Sequence, residues 1–298
     1  LLNKYGYCSI YYYTEKELGI ILTLLLLWST IFLSGCSILD QIIEDEEVEV
    51  MDFHQRLELK KIPKPVKTNP TILFLGNSMT FYNDLPSMLS NLSFSGGFNP
   101  DIYEITEGSY RLEFFSDEKD EIGKQVYDAL DNYEWDYVIL QEQSGISTMM
   151  AEDSMFPAAR VLDQMIKTAK GETVFLMTWA YKDGFSFDIL GKEIKYSREE
   201  MQTKMVQNYM SIANELDAML APAGIAFMRC SSEFPEIELW DEDLNHPSPE
   251  GTYLAACVLY SGLFDSSPEG LTYTADIEAQ TAAKLQTIAA ETVGVSVN

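Results

Sequence analysis

The stretch Thr71-Ile72-Leu73-Phe74-Leu75-Gly76-Asn77-Ser78-Met79-Thr80 decides the fold. From Thr71 to Leu75 the chain is apolar apart from its β-branched first residue, and a glycine then opens a polar turn. A short apolar run closed by a turn suits a strand buried on both faces, as in a parallel sheet covered by helices. Similar runs recur at Ile102–Ile105, Tyr137–Leu140, Val174–Met177 and Ile225–Met228. Between and after them lie longer amphipathic or mixed segments, read as helices over Leu85–Leu92, Glu121–Asn132, Pro157–Lys170, Glu199–Leu220, Pro249–Ser261 and Ala275–Thr292. Strands alternating with helices predict an α/β protein, a three-layer α/β/α sandwich with a central five-stranded parallel sheet. No internal repeat is present.

The chain has 298 residues, enough to bury one large core. With 46% hydrophobic and 12% aromatic residues, and only 11 prolines and 17 glycines, it is neither disordered nor collagen-like. Its 20 basic and 47 acidic side chains leave a formal charge of -27. That excess repels phosphate backbones and anionic lipid surfaces, which argues against nucleic-acid binding through a basic face.

Leu18 to Leu33 is sixteen residues without a charge, shorter than the roughly 20 needed for a spanning helix. It reads as the core of a signal peptide, against the alternative of a buried apolar helix. Leu33-Ser34-Gly35-Cys36, directly after it, resembles the lipobox of bacterial lipoproteins. The resemblance implies that residues 1–35 are a lipoprotein signal peptide and that Cys36 is lipidated. The protein would then be held at the bacterial cell surface or another extracytoplasmic membrane face, touching the membrane only through that anchor. Residues 36–70 read as a tether: Glu44-Asp45-Glu46-Glu47-Val48-Glu49 gives way to Lys60-Lys61-Ile62-Pro63-Lys64-Pro65-Val66-Lys67, and charge runs with prolines make extended, solvated spacers. Residues 71–298 form the folded domain. Its cysteines, Cys230 at the end of a predicted strand and Cys257 inside a predicted helix, read as buried thiols rather than a bridge.

In an open α/β sheet, ligands bind beyond the carboxyl ends of the strands. Ser78 follows the first strand there, and alone it fits two roles, helix cap or nucleophile. A nucleophilic serine needs a base, and the chain holds two imidazoles, His54 in the tether and His246. His246 lies in Asp241-Glu242-Asp243-Leu244-Asn245-His246-Pro247-Ser248-Pro249. Asp243, three residues earlier, is spaced to fold back and accept the Nδ1 proton. The same loop also reads as a solvated acidic segment with Ser248 and Pro249 starting a helix; the two readings are compatible.

These blocks resemble the SGNH/GDSL hydrolase superfamily, in particular its esterase-like surface members. Gly76-Asn77-Ser78 is similar to the first block, with Ser78 as nucleophile, and Asp243-Leu244-Asn245-His246-Pro247 to the last, with its aspartate and histidine. The resemblance implies a flavodoxin-like fold and a Ser78–His246–Asp243 triad. It also implies an oxyanion hole from the backbone N–H groups of Ser78 and Gly108 and a side-chain amide after the third strand. The family pattern there is GxND, whereas this chain reads Gln141-Glu142-Gln143-Ser144. Gln143 carries the same amide donor on a longer stem, with Gln141 as the competing candidate.

The implied reaction is hydrolysis of an ester, with O-acetyl groups on carbohydrate or cell-wall glycan as the expected substrate. An O-acyltransferase with the same triad and a non-catalytic glycan-binding lipoprotein are the alternatives. Tyr82, Trp179 and Tyr181 are candidates for sugar-stacking faces or for ordinary core and rim aromatics. No cofactor is expected. Two histidines and two unmodified cysteines make no zinc set, and Asp241-Glu242-Asp243 lacks the ligand period of a calcium loop.

Overall fold

A computed structural model describes residues 48–62, 64–189 and 192–296. Cys36, the apolar stretch Leu18–Leu33 and the rest of residues 1–47 lie outside the described residues. Five parallel strands form the central sheet: β1 (Thr71–Gly76), β2 (Asp101–Thr106), β3 (Tyr137–Leu140), β4 (Glu172–Leu176) and, after a two-stranded hairpin of β5 (Phe185–Ile189) and β6 (Lys192–Tyr196), β7 (Met219–Ala221). The order across the sheet is β2-β1-β3-β4-β7. The register pairs Ile72 with Ile102 and Tyr137, Val138 with Thr173, and Phe175 with Leu220.

Ten α-helices accompany the strands among the described residues: α1 (Ser78–Phe81), α2 (Leu85–Ser95), α3 (Leu112–Phe115), α4 (Glu121–Asn132), α5 (Ser144–Met149), α6 (Phe156–Thr168), α7 (Arg198–Glu215), α8 (Ala223–Glu233), α9 (Pro249–Phe264) and α10 (Ala279–Val293). Successive strand residues point to opposite faces of a sheet. Ile72 and Phe74 of β1 therefore pack with Leu89, Phe227, Leu254 and Leu285 of α2, α8, α9 and α10. Leu73 and Leu75 pack instead with Phe115, Val126, Leu162 and Tyr209 of α3, α4, α6 and α7. The three-layer α/β/α sandwich expected from the apolar runs is the observed architecture, with two cores separated by the sheet.

The fifth strand differs from the expectation. Ile225–Met228 lies within α8, and the strand beside β4 is Met219–Ala221, which the sequence reading placed at the end of a helix. Asp217 adopts a left-handed backbone (φ 46°) and the Ala218 N–H reaches the Ala213 carbonyl at 2.9 Å, closing α7 early. Only three residues then remain before Pro222 starts α8. Cys230 accordingly sits on a helix; it and Cys257 are both buried, free thiols.

The described part of residues 36–70 also departs from the extended spacer expected of its charge pattern. From Val48 onward the chain lies on the domain: Met51, Phe53, Leu57 and Leu59 pack against one core, and Ile62 is buried in the other. The lysines that read as solvated meet acidic partners, Lys60 with Glu172 at 3.1 Å, Lys64 with Asp265 at 2.6 Å, and Lys67 with Asp136. A strongly acidic domain supplies a counter-charge for such a segment, which removes the reason for it to stand off in water.

Candidate active site

The carboxyl ends of β1, β2, β3 and β4 carry the loops that matter. At the end of β1 the turn is tight: a Cβ on Gly76 would lie 2.3 Å from Thr80 Oγ1 and 2.7 Å from Gln141 Oε1, so only glycine fits. Asn77 then caps α1. Its side chain accepts from the Met79 N–H at 3.0 Å and donates to the Tyr110 carbonyl at 2.8 Å, tying the turn to the loop after β2. Since Asn77 performs the capping, Ser78 is the first residue of α1 and its hydroxyl is available for another partner.

That partner is His246. The Ser78 Oγ lies 2.8 Å from His246 Nε2, and His246 Nδ1 lies 2.5 Å from Asp243 Oδ2. The other Asp243 oxygen accepts the Asn245 and His246 N–H groups at 3.0 and 2.8 Å. Partial burial pushes the Asp243 carboxyl up, but the imidazole and these two N–H groups outweigh it and hold the group below the usual carboxylate range. The segment presenting the ring is fixed from several sides. Asp241 N–H reaches the His246 carbonyl at 2.8 Å, Asn83 Nδ2 the Pro247 carbonyl at 2.8 Å, and Lys182 N–H the Leu244 carbonyl at 2.9 Å. Ser248 caps α9 through the Gly251 N–H at 3.1 Å, so the helix start and the presented histidine are parts of one loop. His54 is elsewhere, 3.5 Å from Glu233.

The amides after β3 separate cleanly. Gln141 is fully buried and fully used: its Oε1 accepts the Asn77 N–H at 2.8 Å and the Thr80 hydroxyl at 2.9 Å, and its Nε2 donates to the Glu142 carbonyl at 2.8 Å. It holds the serine turn and has no donor to spare. Gln143 is partly exposed, and its side-chain amide has no hydrogen-bond partner among the described residues. The Ser78 N–H is likewise without a protein acceptor there. The Gly108 N–H is exposed but donates to the Glu107 carboxylate at 2.9 Å.

Of the three aromatics, Trp179 belongs to the core: it is fully buried, stacked on Phe227 with centroids 4.3 Å apart, and donates to the Asn245 carbonyl at 3.2 Å. Tyr82 instead stacks on the His246 ring, centroids 4.6 Å apart and planes 19° from parallel, while its hydroxyl donates to Asp241 Oδ2 at 2.7 Å. That hydrogen bond raises the phenol and lowers the Asp241 carboxyl. The sequence shows Tyr82 near the nucleophile but gives no sign of a face-to-face contact with a residue 164 positions away. Replacing Tyr82 with Ala should lower kcat several-fold, because an aromatic contact of ~1 kcal/mol is lost. Tyr82→Phe, which keeps the stack, should stay within about twofold of wild type. Steady-state rates for the two variants test this.

Comparison with known proteins places the chain. A candidate SGNH hydrolase from Slackia heliotrinireducens is 30% identical, and the match covers 65% of this chain and 99% of that one at a TM-score of 0.57. The chain belongs to the SGNH hydrolase superfamily. As a member of that superfamily it is a hydrolase. A DUF4886 family protein from Bacteroides uniformis shares the fold, at 19% identity and a TM-score of 0.63 over 77% of this chain and 97% of the other. No family profile and no curated protein matches. Within this SGNH hydrolase, the serine and histidine blocks meet at the carboxyl edge of the sheet, as the fold rule for open α/β sheets requires.

Proposed function

We propose that this SGNH hydrolase is an extracytoplasmic, lipid-anchored serine esterase that removes small acyl groups, O-acetyl above all, from carbohydrate or cell-wall glycan. The observation that carries the reading is the 2.8 Å contact between Ser78 Oγ and His246 Nε2, continued at 2.5 Å to Asp243. In the first step His246 Nε2 takes the Ser78 proton as Oγ bonds to the ester carbon. The carbonyl electron pair moves onto oxygen, where the Ser78 N–H and the Gln143 amide donate to it. The Gly108 N–H joins them once the exposed Glu107 side chain turns away. Collapse expels the alcohol with the proton from His246, leaving the acyl group on Ser78; water, deprotonated by His246, repeats the sequence and frees the acid.

The relay lies open to solvent, with the His246 side chain 22% and Asp243 46% exposed, which agrees with an ester carried on a bulky glycan. The lipobox-like Leu33-Ser34-Gly35-Cys36 supports the location. Two experiments test the reading on the full chain. The first compares p-nitrophenyl acetate with longer-chain esters, measures acetate release from acetylated oligosaccharides, and maps the site labelled by a fluorophosphonate. Acetate preference and labelling at Ser78 are expected; labelling elsewhere, or a preference for long chains, would sink the proposal. The second expresses Cys36→Ala in a bacterial host, where loss of the membrane-bound fraction is expected and unchanged membrane association would count against the anchor.

A further inference from the structure

Glu142 is a fully buried acid that the mechanism above does not use. It occupies the position between the two glutamines, second in the loop after β3. One carboxylate oxygen accepts the Gln143 N–H at 2.7 Å, and the other accepts the Leu112 N–H, at the start of α3, at 3.2 Å. Leu112 ends the loop that begins at Glu107 and Gly108, and Gln143 bears the free amide. The same two loops are also joined to the serine turn, one through Asn77 and Tyr110 and the other through Asn77 and Gln141.

We propose that Glu142 is a positioning residue for ester hydrolysis, whose buried carboxylate clamps the loop after β2 to the loop after β3 and thereby fixes Gln143 where an oxyanion forms. This rests on the reading of Ser78 and Gln143 given above. Burying an acid here is costly, and a cost of this kind is retained where a specific geometry depends on it. A simple apolar filler would leave the Leu112 and Gln143 N–H groups without acceptors, and a neutral amide would satisfy only one of them, because its NH2 group opposes the other. A carboxylate alone accepts from both at once.

The charged and titratable groups facing Glu142 are Arg111 and Glu113 from the α3 segment and the buried, neutral Tyr209 from α7. Burial pushes the Glu142 carboxyl up to about 7, against the pull of the two N–H groups and Arg111. A carboxyl raised in the folded state binds its proton more readily there than in the unfolded chain, so acidification toward pH 5 favours folding while it neutralises the clamp. Stability and activity should therefore move in opposite directions at this residue.

The test is a double-mutant cycle in the full chain with Glu142→Gln, Gln143→Ala and both together, following kcat, KM and the affinity for phenylboronic acid, which forms a tetrahedral adduct on a reactive serine. Expected is a kcat loss of about 10- to 100-fold for Glu142→Gln with KM nearly unchanged and boronate affinity falling in parallel. In the Gln143→Ala background the same change should cost less than about threefold, because its target is gone. Equal losses in both backgrounds, or a rise in KM at constant kcat, would overturn the proposal while leaving the triad standing. Absence of Ser78 labelling in the wild type would instead refute the functional reading on which the proposal rests. Should Glu142→Gln fold poorly, Gln143→Ala alone decides: a full rate and boronate affinity in that variant would overturn the clamp, since there would be no donor for it to position.

Discussion

Alanine at Ser78 or at His246 is expected to reduce ester hydrolysis by about 10⁵- to 10⁶-fold in kcat, and the double variant should be no worse than either single one. In the proposed mechanism the two atoms act as one unit: the hydroxyl is a nucleophile only while Nε2 takes its proton, and Nε2 has no other task in the first step. Removing either therefore removes the whole contribution, so the losses do not add. The residual rate comes from the oxyanion donors and substrate binding. Thermal stability should change little. Ser78 is only partly buried, and its helix start is capped by Asn77 rather than by its own side chain. Initial rates with p-nitrophenyl acetate, read beside melting temperatures, separate loss of chemistry from loss of fold. Activity surviving in both single variants would dismantle the relay.

Asp243→Asn should cost about 10⁴-fold in kcat while leaving the fold intact. The asparagine oxygen can still accept the Asn245 and His246 N–H groups, which hold the loop. Its NH2 group then faces His246 Nδ1 and needs an acceptor there, which forces the ring proton onto Nε2. A protonated Nε2 cannot take the Ser78 proton. The pH behaviour follows from the depressed carboxyl of Asp243. Its contribution to stability is fully present above the unfolded value of about 3.9 and is lost only as pH falls through the lower folded one. Between about pH 5 and pH 8 Asp243 stays ionised, so protonation of this carboxyl does not shape the activity profile there. The deficit of Asp243→Asn should accordingly persist throughout that range in a pH profile of kcat. A variant that recovered wild-type rates anywhere within it would contradict the assigned role.

Much of the molecule follows from short-range chemistry. The apolar runs at Thr71–Leu75, Ile102–Ile105 and Tyr137–Leu140 became strands of the sheet, and Glu121–Asn132 became α4 without a shift at either end. In that helix Asp120 caps by accepting the Ile122 and Gly123 N–H groups, a contact available within one turn of chain. The same locality explains why Asp243 and His246 were legible as a pair: three residues of separation bring carboxylate and imidazole within reach before any tertiary contact forms.

What required the tertiary structure shares a different physical cause. Ile225–Met228 is apolar and short, so its pattern fits a buried helix as well as a strand. Only pairing with β4 selects Met219–Ala221 instead. Gln141 and Gln143 are the same side chain two residues apart; the serine turn consumes one amide and leaves the other free. Trp179 and Tyr82 are both aromatics beyond a strand, but one fills the space against Phe227 and the other covers the His246 ring. The layered α/β fold, Ser78 at the first strand end and the Asp243–His246 pair are legible before folding, because strand-length apolar runs and one-turn contacts are local. The last strand, the free amide, the packing of Met51, Phe53, Leu57, Leu59 and Ile62 on the domain and the two hydrogen bonds of the Glu142 carboxylate appear only in the folded protein, because each depends on groups brought together through space by the closing of the sheet.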